Sequence, residues 1–287
     1  MRDAPVASPY CAGERSSGSA PRTPGAMVAG AFRILSLDET PSTNSEVKRA
    51  LDAGEAEGLV VCARRQVAGY GRQGRAWTSP EGGLYCSLLL RPDVDAAILP
   101  TLSLVVGMAV WRAVASLVDA GAAERVKIKW PNDVVVAQNV SRETSVRDEA
   151  YSKLCGISLE AHGGGVCVGV GVNVVPPAER PDVGGKNRAA YVSDLMSSPV
   201  SIENVLEAFL TAFAPLYDAW TSDGFAPLVD EFNAHASLLG RSVNVVDRSG
   251  ATLSAGTVER VDAWGRLLLR DEAGAEIPVC SGEAHLV

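Results

Sequence analysis

Two short stretches of the sequence combine residue types that could bind and activate an anionic substrate. Residues 69–77, the Gly-Arg loop, place three glycines and two arginines before a tryptophan, and residues 129–133 place a lysine and a proline before an Asn-Asp pair. Glycine lets the backbone come close to a phosphate, and arginine supplies positive charge. The oxygen atoms of Asn132 and Asp133 are of the hard kind that Mg²⁺ accepts. Together the two stretches favour chemistry on a phosphate-bearing substrate.

Four cations that are far apart in the sequence matter jointly. They are Arg72, Arg75, Lys129 and Lys153. Joining a carboxylate to the α-phosphate of a nucleotide brings two anions together, so the step requires fixed positive charge and usually Mg²⁺. If these side chains converge in the fold, they predict a site for such a step.

Each stretch also has an ordinary structural interpretation. Residues 69–74 formally match the GxGxxG fingerprint of dinucleotide-binding folds, but that fingerprint opens a helix, and here residues 78–83 contain a proline and two glycines and lead to a strand. The alternative is a glycine-rich connection with solvated arginines. Pro-Asn-Asp is common turn chemistry. Gly-Val-Gly-Val-Asn at residues 169–173 is either a strand thinned for helix packing or one that makes room for a flat ligand.

The composition excludes several classes of protein. A net charge of −8 argues against broad nucleic-acid binding through backbone phosphates. The six cysteines contain no CxxC pair, which indicates reduced thiols, and three separated histidines give no zinc site or Ser-His-Asp triad. Residues 99–118 come closest to a membrane span, but Ser103 and Arg112 indicate a buried helix of a soluble protein.

The order of the predicted elements indicates an α+β fold, with a mixed β-sheet and helices, followed by a small β-domain. Residues 1–30 are rich in Ser, Pro, Gly, Ala and Arg and predict a disordered leader. Residues 31–236 form the larger domain, and residues 237–287 contain closely spaced short strands that predict a β-barrel. The larger domain has predicted strands at residues 32–37, 59–63, 84–90, 126–130, 134–136, 154–160 and 166–175 and predicted helices at residues 44–51, 99–120 and 202–232.

Five motifs, in their order and spacing, resemble those of the biotin–protein ligases, also called holocarboxylase synthetases. Ser-Thr-Asn at residues 42–44 is similar to that family's Ser-Thr-Asn segment, and residues 66–77 resemble its Gln-x-x-Gly-Arg-Gly-Arg-x-Gly-Arg-x-Trp loop. The other three are Lys-Trp-Pro-Asn-Asp at residues 129–133, Lys-Leu-x-Gly-Ile at residues 153–157 and Gly-x-Gly-x-Asn at residues 169–173. The resemblance covers nearly all of the chain that is predicted to be ordered.

The resemblance implies a two-step reaction on a class II synthetase-like catalytic domain, followed by an SH3-like β-barrel. Biotin is first activated with ATP as biotinyl-5′-AMP, and one lysine of a biotin carboxyl-carrier domain then accepts the biotinyl group. Biotin, ATP and Mg²⁺ are the implied cofactors, and the carrier domain of a carboxylase is the implied protein substrate. Neutral Ser, Thr, Asn and Gln side chains suit the uncharged ring end of biotin.

The resemblance also implies a role for each matching residue. Lys153, Arg72, Lys129 and Asp133 are the implied catalytic residues: Lys153 bridges the biotin carboxylate and the α-phosphate, and Arg72 orders the loop. Asn132 and Asp133 are the implied metal ligands, and Asp133 is one candidate for accepting the proton of the acceptor amine. The implied biotin- and nucleotide-binding residues are Ser42, Thr43, Asn44, Gln66, Gly69, Tyr70, Gly71, Arg72, Arg75, Trp77 (near the adenine), Lys129, Asn132, Lys153, Gly156, Gly169, Gly171 and Asn173.

Three features depart from the family's pattern. Tyr70 stands where the family usually has arginine, so ordering of the loop depends on whether a guanidinium is needed there. The segment at residues 134–152 is longer than the family's usual link and predicts a surface insertion. No helix-turn-helix domain precedes Phe32, so the DNA-binding role of some relatives is expected to be absent.

Two alternative functions stay open on the sequence alone. A lipoate- or octanoyl-protein ligase on a related fold shares the chemistry, although the Lys-Trp-Pro-Asn-Asp segment favours biotin. A non-catalytic ligand- or nucleic-acid-binding module would also explain the Gly-Arg loop, but the acidic net charge disfavours it. We expect no membrane span and a cytoplasmic location, with a mitochondrial leader as the alternative. Either a monomer or a homodimer is expected, because relatives can present a sheet edge to an acceptor or to a second copy.

Overall fold

The computed structural model describes residues 32–138, 151–178 and 188–287. The predicted leader of residues 1–30 and residues 139–150 of the predicted surface insertion lie outside the described residues. Within the described residues, a seven-stranded sheet with helices on both faces is followed by a five-stranded sheet. The predicted α+β class with a mixed sheet is confirmed.

The larger sheet places β7 at its centre. Its strands are β1 (Arg33–Thr40), β2 (Leu59–Gln66), β3 (Gly83–Leu90), β4 (Val126–Lys129), β5 (Asp133–Ala137), β6 (Tyr151–His162) and β7 (Gly165–Asn173). They lie in the order β1-β2-β3-β7-β6-β5-β4, in which β1 and β2 are parallel and all other neighbours are antiparallel. The glycine-rich strand β7 therefore has a paired neighbour on each side.

One helix packs on the face of the sheet opposite to the others. The helices are α1 (Thr43–Asp52), α2 (Leu102–Leu117), α3 (Ala120–Ala123), α4 (Ile202–Asp223) and α5 (Val229–His235). Helix α1 follows Ser42, which has the extended backbone of an N-cap residue, and its apolar residues Val47, Ala50 and Leu51 recur at the spacing of one helical face. That face packs on Val61 of β2. Helices α2 and α4 pack together in the larger core on the other side.

The predicted helix at residues 202–232 is two helices. Helix α4 ends at Asp223, and Gly224 then adopts φ 69°, a conformation that glycine tolerates far better than other residues. Pro227 follows in a short 3₁₀ turn, Ala226–Leu228, before α5 begins. The prediction of one continuous helix is therefore wrong, because its apolar stripe continues across a backbone break.

The apolar stretch that came closest to a membrane span is a core helix. Ala96–Leu117 is long and apolar enough to cross a membrane by length and composition. Its helix α2 is buried between the sheet and α4, and its buried residues are Leu102, Leu104, Val105, Val106, Gly107, Met108, Ala109, Val110, Ala113 and Val114. The expectation of a buried helix is confirmed.

The C-terminal part of the chain is an antiparallel sheet of short strands. They are β8 (Ser242–Val246), β9 (Thr252–Val261), β10 (Leu267–Arg270), β11 (Glu276–Val279) and β12 (Glu283–Leu286), in the order β11-β10-β9-β8-β12. In the turn between β9 and β10, Asp262 Oδ1 accepts hydrogen bonds from Trp264 N and Arg266 N, both at 2.9 Å. The sheet is consistent with an SH3-like domain. No pairing joins β11 to β12 in the described residues, so closure of this sheet into the barrel that the sequence predicts stays a prediction.

The two sheets share one continuous core. Val243, Val258 and Leu269 of the C-terminal sheet belong to the same buried cluster as the residues of α2. Trp130 Nε1 donates a hydrogen bond to the carbonyl oxygen of Gly265 at 3.0 Å, which joins the end of β4 to the β9–β10 turn. The predicted domain boundary near residue 236 stays a prediction, because burial is continuous across it.

Candidate active site

A cleft of about 540 Å³ lies between the start of α1, the Gly-Arg loop and the centre of the larger sheet. Its walls come from segments that are far apart in the sequence, from the turn before α1 to strand β12. Most of the residues singled out in the sequence line it: Ser42, Thr43, Asn44, Gln66, Tyr70, Gly71, Arg72, Arg75, Trp77, Asn132, Asp133, Lys153, Gly156, Gly169, Gly171 and Asn173. The structure therefore brings together nearly the whole predicted set.

One end of the cleft is a network of uncharged polar groups. Gln66 Oε1 accepts hydrogen bonds from Thr43 N at 2.8 Å and Thr43 Oγ1 at 3.2 Å, and Gln66 Nε2 donates to Ser79 Oγ at 2.8 Å. Ser87 Oγ lies 2.7 Å from Thr43 Oγ1 and 2.6 Å from Asn44 Oδ1. These side chains are positioned because α1 starts directly above the antiparallel pair β2–β3. They present fixed donors and acceptors to a neutral polar ligand.

Charged groups fix the orientation of Asn44 within that network. Its Nδ2 donates to Ser158 Oγ and to Glu160 Oε1, both at 3.0 Å. The other carboxylate oxygen of Glu160 lies 2.8 Å from Lys48 Nζ. Because a carboxylate faces the amide nitrogen and a hydroxyl faces the amide oxygen, Asn44 has one favoured orientation.

Three glycines of β6 and β7 allow large side chains to lie directly on the sheet. A Cβ atom at Gly169 would lie 2.3 Å from Asn44 Oδ1, and one at Gly171 would lie 2.8 Å from Trp77 Nε1. A Cβ atom at Gly156 would lie 3.0 Å from Trp77 Cζ3. These glycines thus make room for the protein's own side chains, and they also line the cleft, so the interpretation that they make room for a flat ligand stays a prediction. The indole of Trp77 forms the floor of the cleft.

The other end of the cleft carries cations. Lys153 Nζ lies 2.9 Å from Asp133 Oδ1 and 5.3 Å from the ring centroid of Trp77. Strands β5 and β6 bring these residues together, because their register shifts by a bulge between Val134 and Val135. Arg72 Nη1 donates to Asn132 Oδ1 at 2.8 Å. An ammonium and a guanidinium therefore lie in the same cleft as the neutral network.

The Gly-Arg loop folds back on itself over this end. Trp77 N donates to Gly69 O and Gly71 N donates to Arg75 O, both at 2.8 Å, around a short 3₁₀ turn, Arg72–Gly74. Burial lowers the pKa of Arg72, and the nearby carboxylates of Glu283 and Asp133 act in the opposite direction. An arginine guanidinium stays charged at neutral pH despite such a shift. The loop therefore places a desolvated positive charge beside the cleft.

Two predicted residues do not line the cleft. Lys129 ends β4, the edge strand farthest from β7, and pairs in register with Asp133. Gly69 lies where a Cβ atom would come 2.7 Å from both Ser79 Oγ and Trp77 O, so its role is to close the base of the loop. A direct ligand contact by Lys129 or Gly69 has no support from the geometry.

The two predicted metal ligands differ in how well they fit Mg²⁺. Both polar atoms of the Asn132 amide are occupied, since Oδ1 accepts from Arg72 and Nδ2 donates to Ile157 O at 2.8 Å. Asp133 offers a carboxylate on the cleft wall. No group of three or more His, Cys, Asp or Glu side chains suitable for a metal occurs in the described parts of the chain. The residues fit a Mg²⁺ ion bound mainly by phosphate oxygens, with Asp133 as the protein ligand.

Several residues that line or support the cleft were not identified as site residues from the sequence. They are Lys48, Ser87, Ser158, Glu160 and Glu283. Two periodicities could have indicated some of them: Ser158 and Glu160 follow Gly156 at intervals of two along one strand, and Lys48 follows Asn44 by four along one helix. Glu283 has no local signal, because it reaches the cleft from the other sheet.

Comparisons with known proteins agree with this geometry. Residues 37–174 match the family described as the biotin/lipoate A/B protein ligase family. The biotin–[acetyl-CoA-carboxylase] ligase of Paracoccus denitrificans is 34% identical over 256 residues, which is 84% of this chain and 95% of that protein. The bifunctional ligase/repressor of Bacillus spizizenii is 28% identical over 242 residues, which is 84% of this chain and 70% of that protein.

A solved structure has the same architecture. The biotin protein ligase from Aquifex aeolicus, in complex with biotin and ATP, superimposes with a TM-score of 0.72 at 27% identity and covers 88% of this chain and 98% of that chain. The similarity thus extends over both sheets and not only over the cleft. With a relative 34% identical along almost its whole length, the chain belongs to the biotin/lipoate A/B protein ligase family, among its biotin protein ligases.

Proposed function

We propose that the chain activates biotin with ATP and transfers it to one lysine of a biotin carboxyl-carrier domain. Its similarity to a biotin–[acetyl-CoA-carboxylase] ligase and to a biotin protein ligase solved with biotin and ATP supports this function. The observation that supports it most strongly is that one cleft contains both a neutral hydrogen-bonding network and two cations, the Lys153 ammonium and the Arg72 guanidinium. That combination suits a ligand with an uncharged ring and an anionic tail.

In the first step the neutral network binds the ring of biotin. Thr43, Asn44 and Gln66 supply hydrogen bonds at the ring, and the valeryl tail runs toward Lys153. An oxygen of the biotin carboxylate attacks the α-phosphorus of ATP, the bond to the oxygen that bridges the α- and β-phosphorus breaks, and pyrophosphate leaves with the electron pair. Lys153 and Arg72 bring the two anions together and stabilise the charge that develops at the phosphorus.

In the second step the neutral ε-amine of the acceptor lysine attacks the acyl carbon of biotinyl-5′-AMP. An amide bond forms, the acyl–oxygen bond breaks, and AMP leaves with the electrons of that bond. The amine must first lose a proton, since its reference pKa is about 10.4. Asp133 is the carboxylate that pairs with Lys153 in the cleft. Its part in that proton transfer stays a prediction.

The Gly-Arg loop protects the intermediate in this mechanism. A mixed anhydride hydrolyses in water, so the site that forms it must exclude solvent. The loop folds over the cationic end of the cleft and carries the side chains of Arg72 and Arg75 with it. Mg²⁺, with Asp133 as its protein ligand, would supply charge neutralisation for the triphosphate.

One experiment tests the proposed function directly. Purified protein is incubated with biotin, ATP, Mg²⁺ and an isolated carboxyl-carrier domain, and the intact mass of that domain is measured. We expect a gain of one biotinyl group, dependent on ATP and absent when the acceptor lysine is replaced by arginine. An unchanged acceptor mass, with folded protein present, would rule the function out.

A lipoate- or octanoate–protein ligase is the second candidate, because the matching family includes lipoate ligases. The ring of lipoate has no strong hydrogen-bonding groups, whereas this end of the cleft is lined by the polar side chains of Thr43, Asn44 and Gln66, which suit the polar ring of biotin. The network therefore favours biotin. In an ATP–pyrophosphate exchange assay, biotin is expected to support exchange that an excess of lipoate leaves unchanged.

We also propose a cytoplasmic enzyme whose only macromolecular substrate is the carrier domain. The described cysteines Cys62, Cys86, Cys155, Cys167 and Cys280 are free thiols, which suits a reducing compartment. A net charge of −8 gives no support for DNA binding. Light scattering of the purified chain would decide between the monomer and the homodimer.

A further inference from the structure

Tyr70 is the residue of the Gly-Arg loop that stands in place of an arginine. Its backbone pairs with Ala76 across the loop, and its side chain lines the cleft. The phenol oxygen is buried and has no hydrogen bond of good geometry within the described residues. A buried phenol usually finds a hydrogen-bond partner, so the other contacts of this side chain decide how it is held.

Lys48 supplies one of these contacts. Its Nζ lies 5.3 Å from the centroid of the Tyr70 ring, which is within the range of a cation–π interaction. The same Nζ lies 2.8 Å from Glu160 Oε2. Lys48 is on α1 and Glu160 is on β6, so the tyrosine ring is joined to two elements that form the body of the domain.

The environment of Lys48 keeps its ammonium charged. The hydrogen bond to Glu160, and next the proximity of the Tyr70 oxygen, raise the pKa of Lys48 and outweigh the opposing effect of burial. The lysine side chain is only 27% exposed, so water screens its interaction with the ring less than it would at an open surface. The lysine opposite the ring is therefore charged at neutral pH.

We propose that the cation–π contact between Lys48 and Tyr70 positions the Gly-Arg loop over the cleft, and that both are positioning residues for the reaction proposed above. The positive charge beside position 70 comes from helix α1 and not from the loop. Because Tyr70 directly precedes Gly71 and Arg72, fixing its ring also fixes the backbone that places Arg72 beside Asn132. The consequence for catalysis rests on the proposed function, whereas the contact itself does not.

The contact predicts an effect opposite to that expected from the family's pattern. Tyr70→Arg restores the arginine of the motif, but it puts a second cation against the Lys48 ammonium. Like charges at this distance repel, so the loop is expected to be held less firmly than in the wild type. Adding Lys48→Gln removes the repulsion and leaves Glu160 free to pair with the new arginine. The double variant is therefore expected to hold the loop better than Tyr70→Arg alone.

Limited trypsin digestion of the ligand-free protein tests the contact without any catalytic readout. Peptides that end at Arg72 and Arg75 report loop opening, and thermal midpoints confirm that each variant is folded. Tyr70→Leu loses the ring, and Tyr70→Phe keeps it. We expect the loop of Tyr70→Leu to be cut about fivefold faster than that of Tyr70→Phe. In a Lys48→Met background the two rates are expected to be equal. An unchanged ratio in that background would mean that the ring acts by packing alone, and it would overturn the proposal.

Release of biotinyl-5′-AMP links the contact to function. The intermediate is formed on the enzyme, and its dissociation is followed after a chase with unlabelled biotin. Tyr70→Leu and Lys48→Met are expected to release it about fivefold faster than Tyr70→Phe and Lys48→Arg. Lys127→Met, which removes a lysine outside the cleft, serves as the control. Equal release from all variants would overturn the positioning role. If neither the wild type nor any variant makes the intermediate, the proposed function is refuted. The trypsin digestion would still test the contact between Lys48 and Tyr70 in that case.

Discussion

Lys153 has the surroundings of a residue that brings two anions together. Its ammonium is held by the carboxylate of Asp133 at 2.9 Å and by the face of Trp77 at 5.3 Å, so its position is fixed on two sides. Its side chain is still 38% exposed, which leaves room for a ligand to approach. Because its ammonium is already held in position, Lys153 can stabilise developing negative charge without a prior rearrangement of its side chain.

We predict that Lys153→Ala slows adenylate formation about a hundredfold or more. The measurement is the rate of biotin-dependent ATP–pyrophosphate exchange. The control is Arg33→Ala, which removes an exposed cation that pairs with Glu55 on the far edge of the sheet. Arg33→Ala is expected to leave the rate unchanged within about twofold. Similar rates in the two variants would count against the assignment of Lys153.

Gly171 determines whether the indole of Trp77 can lie on β7. A Cβ atom there would be 2.8 Å from Trp77 Nε1, so Gly171→Ala must displace the ring. We predict a destabilisation of about 1–3 kcal/mol together with a raised KM for ATP. Gly121→Ala is the matched control, since a Cβ atom at Gly121 would meet nothing within 4 Å. The measurements are unfolding curves and ATP titrations of both variants. Equal free energies of unfolding and equal KM values for ATP in the two variants would contradict this role of Gly171.

At the residue scale, the sequence predicted which side chains meet but not how each is supported. Motif spacing identified Lys153, Asp133 and Trp77, because each stands in a short pattern with a chemical meaning. The partner of Lys48 lies 112 residues away, and nothing local to Glu160 indicates that it faces α1. Contacts over such distances depend on strand order, which a single sequence does not specify.

At the scale of elements, one ion pair couples the Gly-Arg loop to the C-terminal sheet. Arg75 pairs with Glu283 of β12, which also lines the cleft. The partners are 208 residues apart, so the end of the chain helps to hold a loop that lies near its beginning. The C-terminal sheet is thus part of the site and not only an appendage to it.

We predict that Glu283→Gln increases cutting of the loop by trypsin about two- to fivefold in the ligand-free protein. The change keeps the size of the side chain and removes the charge that attracts Arg75. Glu276→Gln is the control, because Glu276 pairs with Arg260 at 2.9 Å within the same sheet and does not line the cleft. If both variants are cut at the same rate, the coupling between loop and sheet is absent.

The same pair predicts a dependence on pH. Burial opposes ionisation of Glu283, but the hydrogen bond and charge of Arg75 outweigh it and hold the pKa of Glu283 below its usual value. A lowered pKa means that the pair stabilises the fold above the unfolded-state pKa, about 4.3, and that this is lost as the pH falls through the folded-state pKa. The thermal midpoints of wild type and Glu283→Gln should therefore differ near neutral pH and converge in acid, once the pH has fallen through the lowered folded-state pKa. A difference that persists in acid would contradict this account.

Elements were predicted well where one local signal decided the outcome. The glycine alternation of β7 predicted a close approach to the backbone, by a helix or by a ligand, and Asn44 of α1 and Trp77 of the Gly-Arg loop make that approach. The helix after residue 201 was predicted too long, because the apolar stripe resumes after Gly224 and hides the break. Barrel closure stays a prediction, since it depends on whether the two edge strands meet, and no residue pattern records that.

At the scale of the whole molecule, the two sheets behave as one buried unit. Leu269 of β10 is fully buried, and it belongs to the same core cluster as α2 and the larger sheet. Leu253 of β9, in the same small sheet, is 52% exposed. A core that is continuous across the predicted domain boundary predicts that neither part unfolds by itself.

We predict that Leu269→Ala lowers the stability of the entire chain by about 2–5 kcal/mol, because it leaves a cavity in the shared core. Leu253→Ala is expected to change it by less than about 0.5 kcal/mol. Calorimetry should show one transition in the wild type, which moves to lower temperature as a whole in Leu269→Ala. If instead a small transition separates and moves while the main one stays, the C-terminal sheet is an independent domain. The loop contact through Glu283 would then be its principal link to the active site.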